Sequence, residues 1–294
     1  MANLRDLRLR MRAIRQTLQV TKAMNLISTS KLRKGRRVLE DTEPYFNRIL
    51  KSMFDIISCA GRVQSPFFNE PDPDKPANTA VIVITSDKGL AGGYNANIIR
   101  QANEICGKVN KPALILVGAI GNRHFSHSSR TVLENYTWHS QLPKVENAGE
   151  IAGYTVSQFL SGVFNEVFIV YTHMYSTIKL VPTVTRILPF NAQIIQDKLA
   201  SMGNVKRVEL KFDFFPSEEE VFNALVPLYI KGIIYGCMIE SYASEQSARM
   251  TAMDEASKSA EEMLLDLQIS YNRARQAGIT QEMSEIVGGA AAIN

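Results

Sequence analysis

The sequence has 294 residues, of which 45 % are hydrophobic and 21 % charged, a composition typical of a soluble protein of one or two domains. No apolar stretch approaches the length of a membrane span, and the first residues lack the apolar core of a signal peptide. The three cysteines, Cys59, Cys106 and Cys237, are far apart and outside any CxxC motif, so we expect reduced thiols in a cytosolic protein.

Charge is divided between the two ends of the chain. Residues 1–40 contain eleven Lys/Arg and two acidic residues, a net charge of +9, whereas residues 218–294 contain five Lys/Arg and twelve acidic residues, a net charge of −7. Opposite charges favour pairing of the two ends, although exposed ion pairs contribute little energy and mainly select the partner. A basic helix can also bind nucleic acid, but the complementary acidic segment in the same chain favours an internal pairing.

The first predicted element is a long helix over Ala2–Glu43. Its apolar residues follow alternating steps of three and four, and three polar residues continue the same series. Those polar positions indicate either a locally weak seam or a place where another protein supplies contacts. We expect Pro44 to kink or restart the helix before a second helical stretch, Tyr45–Gly61. The predicted seam positions are Leu4, Leu7, Met11, Ile14, Leu18, Thr21, Asn25, Ser28, Leu32 and Leu39.

The middle of the chain has a different pattern. Four prolines between residues 63 and 76 predict an irregular linker. From Thr79 onward, short β-branched runs alternate with helical segments, which predicts a small α/β domain with a mostly parallel sheet. Residues 190–216 are expected to be irregular, with some extended pairing around 207–212. Strands are predicted at 80–84, 113–117, 167–171 and 183–188, and helices at about 95–108, after Gly118 and at 148–164.

The last predicted element is a second long helix. No proline follows Pro227, and the residues after it are mainly good helix formers. Ser217 and Glu220 form a capping box at its start, and Pro227 should bend it early. A helix over Leu228–Val287 would be about 90 Å long, too long for a compact domain of this size to enclose. Its predicted seam is Leu225, Leu228, Gly232, Tyr235, Ile239, Tyr242, Gln246, Arg249, Met253, Ala256, Ala260, Met263 and Leu267.

These elements predict a fold of the α/β class, in which a long antiparallel coiled coil of the N- and C-terminal helices flanks an inserted Rossmann-like α/β domain. Because the N-terminal helix is the shorter one, about 18 C-terminal residues, or about 27 Å, should project as a single helix. Such a rod favours a mechanical or scaffolding role over a pocket enzyme. The predicted boundaries are 1–62 for the N-terminal helix, 63–76 for the linker, 77–195 for the α/β domain, 196–216 for a connecting segment and 217–294 for the C-terminal helix.

No catalytic constellation is apparent in the sequence. The glycine-rich turn Asp87–Gly93 follows the first strand but matches neither GxxxxGK[ST] nor GxGxxG, so a structural turn is favoured over a phosphate site. His124 and His127 lack further ligands at a suitable spacing, which favours a solvent-facing pair over a metal site. The small apolar tail, Ile286–Ile293, indicates either a frayed end or a slim tip able to turn in a hydrophobic sleeve without strong fixed bonds.

Four stretches resemble signatures of the gamma subunit of F-type ATP synthases. The resemblance extends over essentially the whole chain. The family often has cysteine where Ala91 stands, and the cysteine-bearing regulatory insertion of the chloroplast form is absent before residue 210, which points to a bacterial-type protein without thiol gating. The four stretches are Thr21–Met24 continuing to Ser30–Lys34, Ser86–Gly93, Ala248–Met253, and Asn272–Glu282 continuing through Ser284–Val287.

The resemblance implies an asymmetric central shaft without a cofactor or metal, which transmits torque and performs no bond chemistry. Its coiled coil would sit inside a hexamer of three alpha and three beta subunits. Its α/β domain would form a foot, with the epsilon subunit, on the membrane ring of c subunits. Ion-driven rotation would then force each beta catalytic site through different nucleotide affinities. The implied location is the cytoplasmic face of the bacterial cell membrane, with membrane contact only through the c-ring.

The resemblance also implies particular contact positions. Two other functions remain open from the residues alone, namely a nucleotide-binding enzyme centred on Ser86–Tyr94 and a cytosolic coiled-coil adaptor or nucleic-acid binder. The positions expected to contact beta subunits are Met24, Glu245, Gln246, Arg249, Arg275, Gln276 and Thr280. The turn residues expected in the foot are Asp87, Lys88, Gly89, Gly92 and Gly93.

Overall fold

The computed structural model describes residues 4–60, 63–70, 77–137, 142–190 and 214–291. The chain forms two compact units. The first unit contains residues 1–29 and 249–294, and the second contains residues 30–248. Two long helices, α1 (Leu4–Ala60) and α5 (Glu218–Ala291), each contribute to both units.

Helix α1 is continuous through Pro44, so the expectation that the helix restarts there is wrong. A proline removes one backbone N–H and therefore one helical hydrogen bond. The turns that follow are held by burial, since Leu50, Met53 and Ile56 are at most 2 % exposed in the core of the second unit. Helix α5 likewise continues through Pro227. It begins where predicted, and the Glu220 backbone N–H donates to the Ser217 hydroxyl at 3.2 Å.

The second unit is built on a five-stranded sheet with the order β3-β2-β1-β4-β5. Strands β1 to β4 are parallel, and β5 is antiparallel to β4, so the predicted mostly parallel sheet and the α/β class are confirmed. The strands are β1 (Thr79–Ile84), β2 (Pro112–Val117), β3 (Thr131–Tyr136), β4 (Glu166–Met174) and β5 (Leu180–Leu188). The shorter helices are α2 (Tyr94–Lys108), α3 (Ala119–Phe125) and α4 (Val145–Leu160).

Each face of the sheet has its own apolar core. In β1, all six residues are buried, with Ala80 and Ile82 on one face and Val81 and Val83 on the other. The first core includes residues of α1, α4 and α5, and the second includes residues of α2 together with Phe125 of α3. A strand covered on both faces has a continuous β-branched run, which is why β1 could be predicted from the sequence.

Two parts of this unit differ from the sequence expectations. Strand β3 was not predicted, because it is a half-buried edge strand that pairs only with β2 and contains Glu134 and Asn135. Within the predicted irregular linker, Pro66–Phe68 form a 3-10 turn, and Phe67 is buried and stacks on Phe159 at 6.2 Å. The pairing expected around residues 207–212 lies outside the described residues.

The expectation that no apolar stretch approaches the length of a membrane span is wrong for α5. An 18-residue window of this helix has a mean hydropathy of 1.5, and by length and composition alone it could cross a membrane. However, 56 % of that window is buried inside the protein. The apolar residues of α5 include Phe222, Ile230 and Ile234, which are fully buried in the core beneath the sheet. Core packing therefore accounts for this composition.

In the first unit, α1 and α5 pair as antiparallel helices, as predicted. The Arg8 guanidinium donates to the Tyr271 hydroxyl at 2.9 and 2.6 Å from its Nε and Nη2 atoms. Further along α1, the hydroxyls of Thr21 and Ser257 are 2.8 Å apart. Residues later in α1 therefore lie opposite residues earlier in α5. In this register Leu4 lies near Arg275, so the remainder of α5 has no described α1 residue opposite it.

The predicted seam of α1 agrees with the burial pattern. Leu7 and Met11 are 6 % and 7 % exposed, and the seam residues that follow are buried or half-buried. In α5, however, Leu228 and Met263 are 43 % and 54 % exposed, so these two seam positions are wrong. A helix with 3.6 residues per turn drifts against a seven-residue repeat. The buried face therefore moves by one residue, for example from Met263 to the half-buried Leu264.

Two glycines of α5 provide a matched test of the packing in the second unit. A Cβ atom at Gly232 would lie 2.1 Å from Cδ1 of Phe46, whereas a Cβ atom at Gly236 would meet nothing within 4 Å. Gly232→Ala should destabilise the protein by about 1–3 kcal/mol, because the Phe46 ring must move out of a packed position. Gly236→Ala should stabilise it by about 0.5–1 kcal/mol through helix propensity. Thermal unfolding of both variants measures these changes, and equal effects would contradict the packing.

Candidate partner-contact surfaces

The glycine-rich turn after β1 is closed by its own hydrogen bonds. The Ser86 N–H donates to Asn95 Oδ1 at 3.0 Å, and the Ser86 hydroxyl donates to the Lys88 carbonyl at 2.8 Å. Asp87 Oδ1 accepts from the Ala119 N–H, at the start of α3, at 2.9 Å. An anion at that N–H would therefore be repelled by the Asp87 carboxylate, which already accepts its hydrogen bond. Lys88 and Gly89 are exposed at the tip of the turn.

Glycine is required where this turn meets α3. Gly118 has a φ of 97°, and a Cβ atom there would lie 2.2 Å from the Thr85 carbonyl oxygen. Within the turn, Leu90 and Gly92 adopt the left-handed region with φ values of 61° and 55°. Gly92 and Gly118 therefore serve backbone geometry and close approach of the chain, whereas a Cβ atom at Gly89 or Gly93 would meet no atom closer than 3.5 Å. This agrees with the interpretation of the motif as a strand–helix turn.

The place where an α/β sheet usually binds a ligand is occupied here by the protein itself. In doubly wound sheets this place lies beyond the carboxyl ends of the strands, where the strand order reverses. In this sheet the reversal falls between β1 and β4. At the carboxyl end of β4, Ser241 of α5 accepts from the Thr172 N–H at 3.3 Å. The adjoining cavity, which the ends of β1 and β2 line together with α5, is about 50 Å³. Nucleotide-sized ligands need roughly 300 Å³ or more, so this cavity is too small for one.

The other chemistry-bearing residues singled out by the sequence lie apart from one another. His124 and His127 are both exposed, as expected for a solvent-facing pair. Within the described ranges, no group of three or more His, Cys, Asp or Glu side chains could hold a metal ion. Cys59 is exposed, Cys106 and Cys237 are buried, and no disulfide joins them.

The positions expected to contact beta subunits differ in their accessibility. Glu245, Gln246 and Arg249 are only 7 %, 2 % and 7 % exposed. The Gln246 amide donates to Glu245 Oε1 at 3.3 Å within the second unit. These three side chains therefore offer little surface to another subunit in this conformation. Met24, on α1 of the first unit, is half-buried beside the polar section of the seam.

The other three positions lie at or beyond the described end of α1, since Leu4 lies near Arg275 and no described α1 residue lies opposite Gln276 or Thr280. Arg275, Gln276 and Thr280 are all exposed. The Thr280 hydroxyl donates to the Gln276 carbonyl at 2.9 Å, one turn earlier in the same helix. This hydrogen bond satisfies the hydroxyl locally, while the guanidinium of Arg275 and the amide of Gln276 extend from an exposed helix. This end of α5 is thus an accessible surface with polar and cationic groups.

Apart from Ile286, which belongs to the apolar tail noted from the sequence, sequence reasoning missed a set of exposed apolar residues. In the first unit Leu26 and Ile27 are 71 % and 55 % exposed on α1, and Met283 and Ile286 are 62 % and 72 % exposed on α5. The sequence contained a signal for these residues, because they are apolar although they lie outside the predicted seam. Exposed apolar side chains on a paired helix indicate a surface that another protein covers.

Comparisons with known proteins place this architecture in one family. A family model described as ATP synthase matches residues 3–293. The chain is 41 % identical over 294 residues to an ATP synthase gamma chain of Acetivibrio thermocellus, covering 100 % of both chains. It is 44 % identical over 292 residues to an ATP synthase gamma chain of Ruminiclostridium cellulolyticum, covering 99 % of each. Among solved structures, a chain of the mitochondrial ATP synthase of Euglena gracilis has the same fold, with a TM-score of 0.65, 17 % identity and coverage of 99 % of this chain and 94 % of that chain.

Proposed function

We propose that this chain, which belongs to the family of ATP synthase gamma chains, is the central rotor shaft of an F-type ATP synthase. In this role it couples ion-driven rotation of the membrane c-ring to ATP synthesis and hydrolysis at the beta subunits. The first unit would act inside the hexamer of alpha and beta subunits. The sheet of the second unit would act as the foot, with the epsilon subunit, on the c-ring. The chain would thereby lie at the cytoplasmic face of the bacterial cell membrane and touch the membrane only through the c-ring.

The observation that carries the proposal is the helix pair of the first unit. Apolar seam residues are buried between α1 and α5, while apolar residues outside the seam remain exposed. Such residues are available for apolar contact with another protein. The C-terminal end of α5, with exposed Arg275 and Gln276, adds groups that can form transient polar contacts.

We also propose that the chain is a non-catalytic subunit. In the described residues, α5 contacts the carboxyl end of β4 and lines the small cavity beyond β1 and β2, and Asp87 Oδ1 accepts from the N–H of Ala119 that an anion would otherwise bind. A shaft needs neither a nucleotide nor a metal, because it acts on the beta sites by steric contact. The experiment that tests the assignment is co-purification of a tagged chain from its native membrane. The expected companions are two kinds of subunit, each in threefold excess over the chain, together with a small subunit and the c-ring. A chain that purifies alone would contradict the proposal.

The nucleotide-enzyme alternative makes a different prediction for Lys88. This lysine is exposed at the tip of the turn after β1. If the turn is structural, Lys88→Ala leaves nucleotide binding by the assembled complex unchanged. If the turn holds a phosphate, loss of this cation should weaken binding by roughly tenfold or more. Equilibrium nucleotide titration of the wild-type and variant complexes distinguishes the two, and a large loss of affinity would favour the enzyme.

The C-terminal end of α5 should behave as a low-friction bearing. A strong bond that must break on every turn adds its energy to the barrier, so small residues at the tip favour rotation. We expect that deletion of residues 287–294 leaves assembly and rotation largely intact. Gln276→Ala should instead slow ATP hydrolysis while nucleotides still bind. Both variants are tested by single-particle rotation and ATP hydrolysis. Complete loss of rotation on removing only those eight residues would show that the tip is required to transmit rotation.

A further inference from the structure

Helix α5 is joined to strand β4 by side-chain hydrogen bonds to the main chain of the strand. The Ser241 hydroxyl oxygen accepts from the Thr172 N–H at 3.3 Å. One turn later, the Ser244 hydroxyl donates to the Thr172 carbonyl oxygen at 3.2 Å. Both polar groups of one strand residue are therefore satisfied by two serines on one face of the helix.

Two more contacts extend this row in both directions. Glu240 Oε1 accepts from the Met174 N–H at 3.0 Å. The Ser247 hydroxyl donates to the Thr177 carbonyl oxygen, in the turn between β4 and β5, at 2.6 Å. We refer to the four α5 residues together as the β4 ladder, which consists of Glu240, Ser241, Ser244 and Ser247.

The ladder takes the place of a missing strand. Strand β1 pairs with β4 only as far as Val170, although β4 continues to Met174 and stays paired with β5 on its other side. The last residues of β4 therefore have no strand on the β1 side. Backbone groups without a partner in a buried place cost free energy, so another element must satisfy them. Helix α5 does so with side chains instead of a strand.

The surroundings of the ladder make its hydrogen bonds effective. Ser241, Ser244 and Ser247 are at most 1 % exposed, so water does not compete for these contacts. Burial raises the pKa of the Glu240 carboxyl, while the Met174 N–H and the His173 imidazole oppose that rise. The Nδ1 atom of His173 lies 2.5 Å from Glu240 Oε1, which adds a side-chain contact from the same strand.

Apolar packing and hydrogen bonds resist different movements. The contacts of α5 in the core beneath the sheet are non-directional, so they oppose separation of the helix and the sheet more strongly than sliding or turning of the helix in its groove. Hydrogen bonds weaken steeply when their angles change. A row of buried hydrogen bonds to a strand main chain therefore resists the sliding and turning that apolar packing permits.

We propose that the β4 ladder is the joint that carries torque between the sheet of the second unit and helix α5. This inference rests on the proposed rotor function and assigns the force-bearing contact within it to four residues. Nothing in the glycine-rich turn or at the exposed end of α5 is needed for this joint. The ladder keeps the angle between sheet and helix constant while force acts on them.

The test compares two triple variants of the full chain in the assembled complex. The ladder variant carries Ser241→Ala, Ser244→Ala and Ser247→Ala. A matched control carries the same change at three exposed helical serines, Ser52, Ser157 and Ser259. Both variants remove three hydroxyl groups, so a general effect of serine loss appears in both.

The first readout is amide hydrogen exchange at Thr172 and Met174, which needs no rotation. We expect the exchange at Thr172 in the ladder variant to accelerate by about tenfold, since its N–H loses a buried acceptor. Met174, whose acceptor is Glu240, serves as an internal reference for the strand. Unchanged exchange at Thr172 in the ladder variant, or an equal change in the control, would overturn the proposal.

The second readout is the mechanical one. A probe is attached to α2 through Glu104→Cys in a Cys59→Ser background, because α2 packs on the other face of the sheet from α5. With the hexamer immobilised, the angular spread of this probe during a catalytic pause should be wider in the ladder variant than in the control. An equal spread would overturn the proposal, even if the exchange had changed. A wild-type probe that does not rotate would instead refute the rotor function, and spin labels at Glu104→Cys and Ala224→Cys would then report the same joint as a broader distance distribution.

Discussion

Replacing both Leu7 and Met11 with alanine should separate the two helices of the first unit. Both side chains are buried between α1 and α5, and truncating a buried Leu or Met to Ala typically costs about 2–5 kcal/mol for each residue. Losses of this size exceed what the pairing can recover from exposed contacts. The ion pair between Lys22 and Glu261, for example, is more than half exposed on both sides and contributes about 0–1 kcal/mol.

The functional consequence should be loss of coupling. A shaft whose helices separate cannot transmit force from one end to the other, so the complex should hydrolyse ATP without pumping ions. The matched control is Leu9→Ala on the same helix, because Leu9 is 54 % exposed. Urea unfolding and ATP-driven ion pumping are measured for both variants. Wild-type pumping by the Leu7/Met11 variant would show that this seam does not carry the load.

Met24→Lys should lengthen the pause at one angle in each rotation of the chain. Met24 is half-buried beside the polar section of the α1 seam, and the proposed function places it close to acidic loops of the beta subunits. A lysine there can form a new ion pair at one rotary angle. A charge-assisted hydrogen bond contributes about 1.5–3 kcal/mol, which corresponds to roughly a tenfold to hundredfold slower exit from that angle.

The control for this change is Met24→Leu, which keeps the volume and adds no charge, and we expect it to behave as the wild type. The measurement is the ratio of ions pumped to ATP hydrolysed, together with the dwell-time distribution in single-particle rotation. Added salt should partly restore the Met24→Lys complex, since salt screens an exposed ion pair. Unchanged coupling in Met24→Lys would place Met24 away from acidic partner loops.

Much of the fold could be predicted because burial leaves a period in the sequence. Leu7, Met11 and the seam residues after them recur with helical spacing, and β1 reads as an unbroken β-branched run because both of its faces are covered. Strand β3 leaves no such period, since it is an edge strand with only half-buried residues. The buried face of α5 shifts by one residue near Met263, because a helix with 3.6 residues per turn drifts against a fixed seven-residue repeat.

The contact surfaces were only partly predictable. The resemblance selected Gln246 and Arg249 as surface contacts, but their burial depends on how the chain folds around α5 and has no local signature. The β4 ladder could not have been found from the sequence at all. Its serines look like ordinary polar residues of a helix, and their partners are main-chain atoms 69 to 72 residues away. Main-chain N–H and C=O groups are common to nearly all residues, so no sequence motif indicates such a contact.

The proposed function requires that this chain turns inside a hexamer of alpha and beta subunits. Rotation can be measured directly by immobilising the assembled complex through its beta subunits and attaching a probe to the exposed thiol of Cys59, since Cys106 and Cys237 are buried. On addition of ATP, we expect unidirectional rotation of the probe in steps that keep pace with hydrolysis. A complex that hydrolyses ATP while the probe on Cys59 stays at a fixed angle would contradict it.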